Sequence, residues 1–168
     1  QGVSSAASDV YKRQILSEIK SMDINIDITV GNDKKVMERL SAEYEHVRNI
    51  HFYNFVDQWK MLANHEIFIS HGGLSGVREA ILCETPMIVY PSNYHDYQVG
   101  LAIERNNIGI MIKDRKLSHG NTCEVKNAIY KILSTDRYTK KIKEVKEEFT
   151  DLYKKDKIIS YLNEIRIN

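Results

Sequence analysis

The sequence predicts an α/β protein with an open parallel sheet flanked by helices. Short apolar segments alternate along the chain with longer segments that have helical spacing, which is the order of βαβ units. The segment 24–30 alternates apolar and polar residues, as a half-buried strand does. The segment 67–81 combines an apolar strand, two glycines and the start of a helix. Right-handed crossovers would then bring ligands to the carboxyl ends of the strands.

The first six elements follow from apolar periodicity and from the turn residues between them. Positions three and four residues apart predict amphipathic helices, and short apolar runs predict strands. The turn Gly31-Asn32-Asp33 supplies a helix cap, either Asn32 or Asp33. In chain order the elements are helix 15–22, strand 24–30, helix 34–45, strand 49–52, helix 58–64 and strand 67–70.

The second half begins with the helix that follows the glycine turn. Pro86 marks the end of that helix, and Pro91 breaks the apolar strand after it. Beyond Arg115 the chain is helical, and its lysines suit solvated helix faces. In chain order the elements are helix 75–83, strand 87–90, helix 96–106, strand 110–112 and helices 122–133, 138–153 and 157–165.

Composition limits the class of protein. The 168 residues carry a net charge of +1 with acids and bases interspersed, which argues against a nucleic-acid surface. No apolar run approaches the roughly 20 residues that span a bilayer, and Cys83 and Cys123 have no zinc or disulfide spacing. We therefore expect a soluble cytoplasmic protein. The basic amphipathic C-terminal region leaves peripheral contact with the inner face of the membrane open.

We divide the chain into a leader 1–14, a Rossmann-like domain 15–134 and C-terminal helices 135–168. Within the leader, 9–14 has the sequence Asp-Val-Tyr-Lys-Arg-Gln, which resembles the in-frame translation of a sequencing adaptor. The leader is thus expected to be non-native or disordered, and the alternative is an ordinary flexible N-terminus.

The strand–glycine–helix segment is a candidate anion site. The first amides of a helix lack intrahelical partners, and the helix dipole adds positive charge there. Gly72 and Gly73 allow close backbone approach, and His71 stands where it could donate to a phosphate. Glu79 follows Ser75 by four residues, about 6 Å along the same helix face, which would suit a ribose. The alternative is a tight connection in an α/β domain.

Several separate motifs of this sequence resemble those of a known family and occur in the same order along the chain. They lie at 54–62, 71–81, 84–91, 96–98 and 107–109. This stretch, about a third of the chain, resembles the C-terminal, donor-binding domain of family 1 glycosyltransferases, the UDP-glycosyltransferase superfamily with the two-domain GT-B fold. The resemblance implies a metal-independent transfer of a hexosyl group from a UDP-sugar to an acceptor hydroxyl. It also implies no cofactor beyond the donor substrate.

The resemblance assigns roles to individual residues. Phe55 would stack on uracil, Gln58 would contact the base or ribose, His71 would meet the phosphates, and Glu79 would accept from both ribose hydroxyls. Asp96 and Gln98 fall near the family's sugar-gripping pair. The full predicted donor site is Phe55, Gln58, His71, Gly72, Gly73, Ser75, Gly76, Glu79, Asp96 and Gln98, with His71 and Ser75 stabilising the leaving group.

Three positions depart from the family pattern. The usual adjacent aspartate and glutamine are separated here by Tyr97, and counting back from Gly109 puts Tyr97 at the aspartate position. Gly76 replaces a small hydroxyl residue, and Phe55 replaces the tryptophan of many plant members. The first departure leaves the sugar unassigned. His95, beside Asp96, is a further candidate for donor contact.

The resemblance also implies what the chain lacks. The family's first strand, central in its sheet, should precede helix 15–22, so we predict that this strand is absent or poorly replaced and that the sheet is gapped. The family's general base and most of its acceptor pocket lie in the N-terminal domain. We therefore predict no catalytic residue in this chain, weak donor binding and no turnover by the chain alone.

Two other functions stay open on the sequence. One is a GT-B-like UDP-sugar epimerase or hydrolase, and the other is a non-catalytic nucleotide-binding subunit that needs a partner chain. The expected partners are a nucleotide-sugar and an N-terminal acceptor domain, in the same chain or in a partner subunit. No nucleic acid, metal or transmembrane segment is expected. A nicotinamide enzyme is disfavoured, because no G-x-G-x-x-G motif follows a strand.

Overall fold

The structure is a computed structural model that describes residues 5–113 and 123–154, with side chains for 12–113 and 123–151. Strands and helices alternate as predicted. The strands are β1 Ile26–Thr29, β2 Ile50–Tyr53, β3 Phe68–Ser70, β4 Met87–Val89 and β5 Gly109–Met111. The helices are α1 Ser5–Ile19, α2 Lys34–Glu43, α3 Gln58–Ala63, α4 Leu74–Cys83, α5 Tyr94–Arg105, α6 Glu124–Leu133 and α7 Arg137–Lys154.

Most boundaries lie within two residues of the sequence expectations. Asp33 caps α2, as one of the two predicted residues: its carboxylate accepts hydrogen bonds from the amides of Lys35 and Val36 at 3.1 and 3.2 Å. The main difference is α1, which begins at Ser5 and so makes most of the leader 1–14 helical. The predicted helix 157–165 lies outside the described residues.

The strands form two parallel sheets. β1 pairs with β2 in register, Ile26 opposite Ile50. The other sheet has the order β3-β4-β5, with Phe68 opposite Met87 and Met87 opposite Gly109. Among the described strands, none pairs β1 with β3. The predicted fold of parallel strands flanked by helices is confirmed. The described strands form two separate sheets, and the absence of the family's first strand stays a prediction.

Helix α1 packs against both sheets. Its Ile15 and Ile19 belong to a buried cluster with Ile88 of β4 and with α6. Its Leu16, 1% exposed, instead packs with the core between α2 and the β1-β2 sheet. A third cluster lies under α4, α5 and α7 around the opposite face of β4. The apolar side chains of α1 therefore connect two sheets that share no hydrogen-bonded strand pair.

Helix α7 is held to α4 by an ion-pair group at the end of α4. Glu84 caps α4 in the left-handed conformation, with φ 62°. Its carboxylate lies 2.7 Å from Lys146 Nζ and 3.7 Å from Lys143 Nζ. Hydrogen bonding and charge from Lys146 come first among the causes that hold the pKa of Glu84 below its usual value. The carboxylate thereby fixes the far end of the helix whose first turn carries the candidate site.

Candidate functional site

The glycine turn places the start of α4 directly after β3. Gly72 has φ +97°, a left-handed conformation that favours glycine, and its amide donates to Ser70 Oγ at 3.2 Å. Gly73 is the N-cap of α4 and has no side chain to cap the first-turn amides. Those amides are therefore available to an anion at the carboxyl edge of the sheet.

The imidazole of His71 lies over the same turn. A Cβ added to Gly73 would stand 2.9 Å from His71 Nε2, so the ring packs directly against this glycine. The His71 side chain is exposed to solvent. The His71 ring and the first-turn amides of α4 thus border the same small surface.

The start of α5 closes the other side of the turn. A Cβ on Gly72 would lie 3.3 Å from the backbone oxygen of Asp96 and 3.0 Å from Val89 Cγ1. The glycine turn after β3 and the loop after β4 are therefore in contact. Only the absence of a side chain at position 72 allows this approach.

Asp96 is buried and hydrogen-bonded within its own loop. It is 4% exposed, and its Oδ2 accepts from Ser92 N at 3.1 Å, Ser92 Oγ at 2.5 Å and Asn93 Nδ2 at 2.8 Å. Asn93 in turn caps α5 by accepting from the amide of Asp96 at 3.0 Å. Sequence reasoning missed Ser92 and Asn93, although Asn93-x-x-Asp96 has the spacing of a capping box.

The carboxyl group of Asp96 makes the stability of the folded protein depend on pH. Burial alone raises its pKa, but hydrogen bonds from the Ser92 hydroxyl and amide, the charge of His71 and the amide of Asn93 outweigh burial and bring the pKa below its ordinary value. A depressed folded-state pKa means that the carboxylate stabilises the fold above the unfolded pKa, near 4, and that this contribution is lost as the pH falls further.

We therefore expect Asp96→Asn to destabilise the protein by about 2 kcal/mol at pH 7, and by progressively less below about pH 4. Urea unfolding of both proteins between pH 7 and pH 3 measures this. An unfolding free-energy difference that stayed constant over the whole range would contradict the assigned role of the carboxylate.

Gln58 and Gly76 lie together where α3 meets α4. Gln58 starts α3, and its Nε2 would be 3.4 Å from a Cβ placed on Gly76. Phe55, in the loop between β2 and α3, is 87% exposed, which is unusual for a phenylalanine in a folded domain. An exposed aromatic ring that precedes the polar start of α3 can stack on a planar base.

The remaining predicted residues lie on α4 and α5. Ser75 is exposed in the first turn of α4, and Glu79 is half-buried one turn later. Gln98 and Tyr97 are exposed in the first turns of α5, Tyr97 at 38%. The structure thus brings His71, Gly72, Gly73 and Asp96 together, and Gln58 with Gly76. Contact of any of these residues with a donor stays a prediction.

Within 5–113 and 123–154, no three His, Cys, Asp or Glu side chains are grouped to hold a metal ion. In the same described ranges, no helix is long and apolar enough to cross a bilayer. Cys83 and Cys123 are both free thiols.

Comparison with known proteins identifies the family. A family model described as the glycosyltransferase family 28 C-terminal domain matches residues 2–155. Two curated relatives come from Bacillus subtilis. The uncharacterized UDP-glucosyltransferase YojK is 26% identical over 135 residues, which cover 80% of this chain and 32% of that protein. The uncharacterized UDP-glucosyltransferase YdhE is 25% identical over 111 residues, covering 66% of this chain and 27% of the relative.

Solved structures show the same fold at lower identity. The spinosyn forosaminyltransferase SpnP superposes with a TM-score of 0.75 at 13% identity, covering 98% of this chain and 40% of that one. Os79 from O. sativa, in complex with UDP and deoxynivalenol-3-glucoside, superposes with a TM-score of 0.73 at 18% identity, covering 87% of this chain and 35% of that one. The chain thus spans about a third of the length of these proteins.

The resemblance inferred from the motifs, to the C-terminal domain of a UDP-glycosyltransferase with the GT-B fold, is confirmed by these matches. The chain belongs to the family described as the glycosyltransferase family 28 C-terminal domain.

Proposed function

We propose that the chain is the donor-binding half of a glycosyltransferase that moves a hexosyl group from a UDP-sugar to an acceptor hydroxyl. The observation that carries the proposal is the uncapped start of α4, bordered by the His71 ring and the α5 loop. Family membership supports the reaction class. The B. subtilis relatives, whose names specify UDP-glucosyltransferases, support a uridine nucleotide.

The geometry suits stabilisation of a leaving group. When an acceptor hydroxyl attacks the anomeric carbon, the bond to the nucleoside diphosphate breaks and negative charge grows on its phosphate oxygens. Fixed amide dipoles at the start of α4 would oppose that charge without reorganising. His71 would donate a hydrogen bond to the same phosphates. In this proposal the transfer needs no metal, since helix and imidazole perform the charge stabilisation.

The chain supplies no general base in this proposal. His71 is a leaving-group contact, and the acceptor with its base would sit on an N-terminal domain, in the same polypeptide or in a partner subunit. The described chain alone would then bind donor and not turn over. A cytoplasmic location is part of the proposal, and the two free thiols are compatible with a reducing compartment.

The nucleoside is proposed to lie between Phe55 and α4. Phe55 would stack on uracil, Gln58 would hydrogen-bond the base or ribose, and the carboxylate of Glu79 would accept from the ribose hydroxyls. The pyrophosphate would then cover the Gly73–Ser75 amides. This places the hexose towards the α5 loop, with Asp96 and Gln98 as its proposed neighbours.

Phe55→Ala is expected to weaken UDP binding about tenfold, because stacking of a base on an aromatic ring contributes on the order of 1–3 kcal/mol. Isothermal titration with UDP and with ADP measures the effect, and the native chain should prefer UDP. Since Phe55 is 87% exposed, the melting temperature should not change.

Tyr130→Ala provides the matched control, because Tyr130 is a 53% exposed ring on α6, a helix that carries none of the predicted site residues. Equal losses of UDP affinity in both variants, or no preference for UDP over ADP, would argue against the nucleoside assignment. Consumption of UDP-sugar by a longer form of the protein without any acceptor would instead identify a hydrolase or epimerase.

A further inference from the structure

The carboxylate of Asp96 is occupied by donors from its own loop. Its Oδ2 accepts from the Ser92 amide at 3.1 Å, from Ser92 Oγ at 2.5 Å and from Asn93 Nδ2 at 2.8 Å. A carboxylate has roughly four acceptor positions, so most of them are taken. The other oxygen, Oδ1, lies 3.9 Å from His95 Nδ1, and the side-chain atoms of Asp96 are 6% exposed. Little of this group is left for a sugar hydroxyl.

These hydrogen bonds join the loop and the first turn of α5 into one unit, residues 92–96, which we call the α5 start. The Asn93 carboxamide is held at both ends: its Oδ1 accepts from the Asp96 amide at 3.0 Å, and its Nδ2 also donates to Ser92 Oγ at 3.3 Å. In a buried polar network, the loss of one partner leaves the others unpaired. The shape of the α5 start therefore depends on the Asp96 carboxylate.

The α5 start lies directly against the glycine turn that precedes α4. A Cβ on Gly72 would stand 3.3 Å from the backbone oxygen of Asp96 and 3.8 Å from its Cα. Further along α5, a Cβ on Gly100 would stand 2.6 Å from Met111 Sδ and 3.3 Å from Val89 Cγ1, so the helix is seated closely on the sheet. Since close-packed interiors transmit strain, a change in the α5 start is expected to move Gly72.

The same turn orients the groups that are proposed to hold the diphosphate. Gly72 has a left-handed conformation, and Gly73 begins α4 as its N-cap. The His71 ring packs on Gly73, with Nε2 2.9 Å from an added Cβ. Burial raises the pKa of Asp96, whereas the Ser92 hydrogen bonds and then the charge of His71 lower it. The carboxylate thus interacts with His71 as well as with its own loop.

We propose that Asp96 is a positioning residue for the diphosphate and not a ligand of the donor sugar: it holds the α5 start against Gly72 and thereby fixes the first-turn amides of α4 and the His71 ring. This inference rests on the proposed function, because it concerns the same site. Asp96 stays next to the hexose, but its carboxylate acts through the loop. The exposed side chains of Tyr97 and Gln98 are then left to contact the sugar hydroxyls.

The test measures the affinity of the chain for UDP, which carries the diphosphate and no hexose. Asp96→Asn keeps the size of the side chain but replaces one acceptor oxygen with a donor. We expect this variant to bind UDP about threefold to tenfold more weakly, and UDP-glucose more weakly by the same factor. Ser92→Ala removes one donor, leaves the carboxylate, and should weaken both ligands in the same way. A sugar ligand would behave differently, with UDP affinity unchanged and only UDP-glucose affinity reduced.

Two control variants separate positioning from a general loss of stability. Ile129→Val shortens a buried side chain on α6, a helix without predicted site residues. Arg105→Ala removes an exposed side chain at the far end of α5. Both should bind UDP as the unsubstituted chain does. Circular dichroism checks that each variant is folded at the temperature of the titration, and Ser92→Ala carries the comparison if Asp96→Asn is not.

Amide NMR spectra of the ligand-free chain add a readout that lost stability does not move. The amides of 72–74 should shift in the two loop variants and stay in place in the two controls. Unchanged UDP affinity in both loop variants would overturn the positioning role, as would equal losses in the controls. Failure of the proposed function gives a different result, because the unsubstituted chain would then not bind UDP, and the role of Asp96 towards a diphosphate would fall with it.

Discussion

Replacing Gly109 with alanine is expected to destabilise the three-stranded sheet by about 3 kcal/mol or more, within the upper range for overpacked cores. Gly109 is buried and pairs with Met87 in the β4-β5 ladder. An added Cβ would lie 2.2 Å from Met87 O and 2.7 Å from Ile103 Cγ2. The first of these atoms belongs to the backbone of the central strand and cannot move without breaking the ladder. Urea unfolding followed by far-ultraviolet circular dichroism measures the change.

Gly31→Ala separates the effect of space from that of backbone conformation. Gly31 has φ +78° and no atom within 4 Å of an added Cβ, so the substitution incurs only the left-handed backbone penalty, roughly 1–2 kcal/mol. The Gly109 variant should therefore lose clearly more stability. If both variants lost the same free energy, close packing of β5 on β4 would not be the reason for glycine at 109.

His71→Ala is expected to weaken UDP binding by about tenfold to a hundredfold, since a hydrogen bond to a charged group contributes roughly 1.5–3 kcal/mol. Glu79→Ala should cost about tenfold through loss of the ribose contacts. His71 is exposed and Glu79 half-buried, so neither substitution should change the melting temperature by much. Titration calorimetry with UDP gives both affinities.

His46→Ala and Glu45→Ala are the matched controls, because both side chains are exposed in the turn after α2. They should bind UDP as the unsubstituted chain does. Unchanged affinity in the His71 and Glu79 variants would remove the two side chains from the donor site. Comparable losses in all four variants would show that the effect is general rather than local.

Most helices and strands could be predicted from the sequence, because the residues that indicate them lie within or next to each element. Asp33 lies immediately before an amphipathic segment and caps α2, and Gly72 and Gly73 sit between an apolar strand and a helix. Asp33 acts through hydrogen bonds to amides two and three residues further along the chain, and the glycines lie next to the helix that they precede, so these signals are visible in the local sequence. The family motifs also gave the order of the predicted site residues along the chain. In the structure these residues follow the carboxyl ends of β2, β3 and β4 in that order.

Other features depend on tertiary contacts that no local pattern contains. The burial of Asp96 follows from the close approach of the α5 loop to Gly72, and its hydrogen bonds to Ser92 and Asn93 follow from that loop's shape. The helical leader likewise depends on packing: Arg13 Nη2 lies 3.0 Å from Glu43 Oε2, and Tyr90 Oη donates to Gln14 Oε1 at 3.4 Å. The non-native origin of the leader stays a prediction.

The gap between the two sheets was predicted in part from the sequence and depends in part on tertiary packing. The family resemblance predicted a missing central strand, and the described strands fall into two sheets. The sequence did not predict that Asp27 and His65 would meet across the gap at 2.9 Å, or that α1 would hold both sheets. These contacts depend on where the elements pack.

The central claim is that a diphosphate lies over the first-turn amides of α4. Amide chemical-shift changes in ¹⁵N-labelled chain, titrated with UDP and separately with uridine, test it most directly. The account predicts that UDP shifts the amides of 72–76 most and that uridine, lacking phosphates, leaves them nearly unmoved while still affecting Phe55. Largest UDP shifts elsewhere, or equal shifts of the α4 amides by uridine, would contradict it.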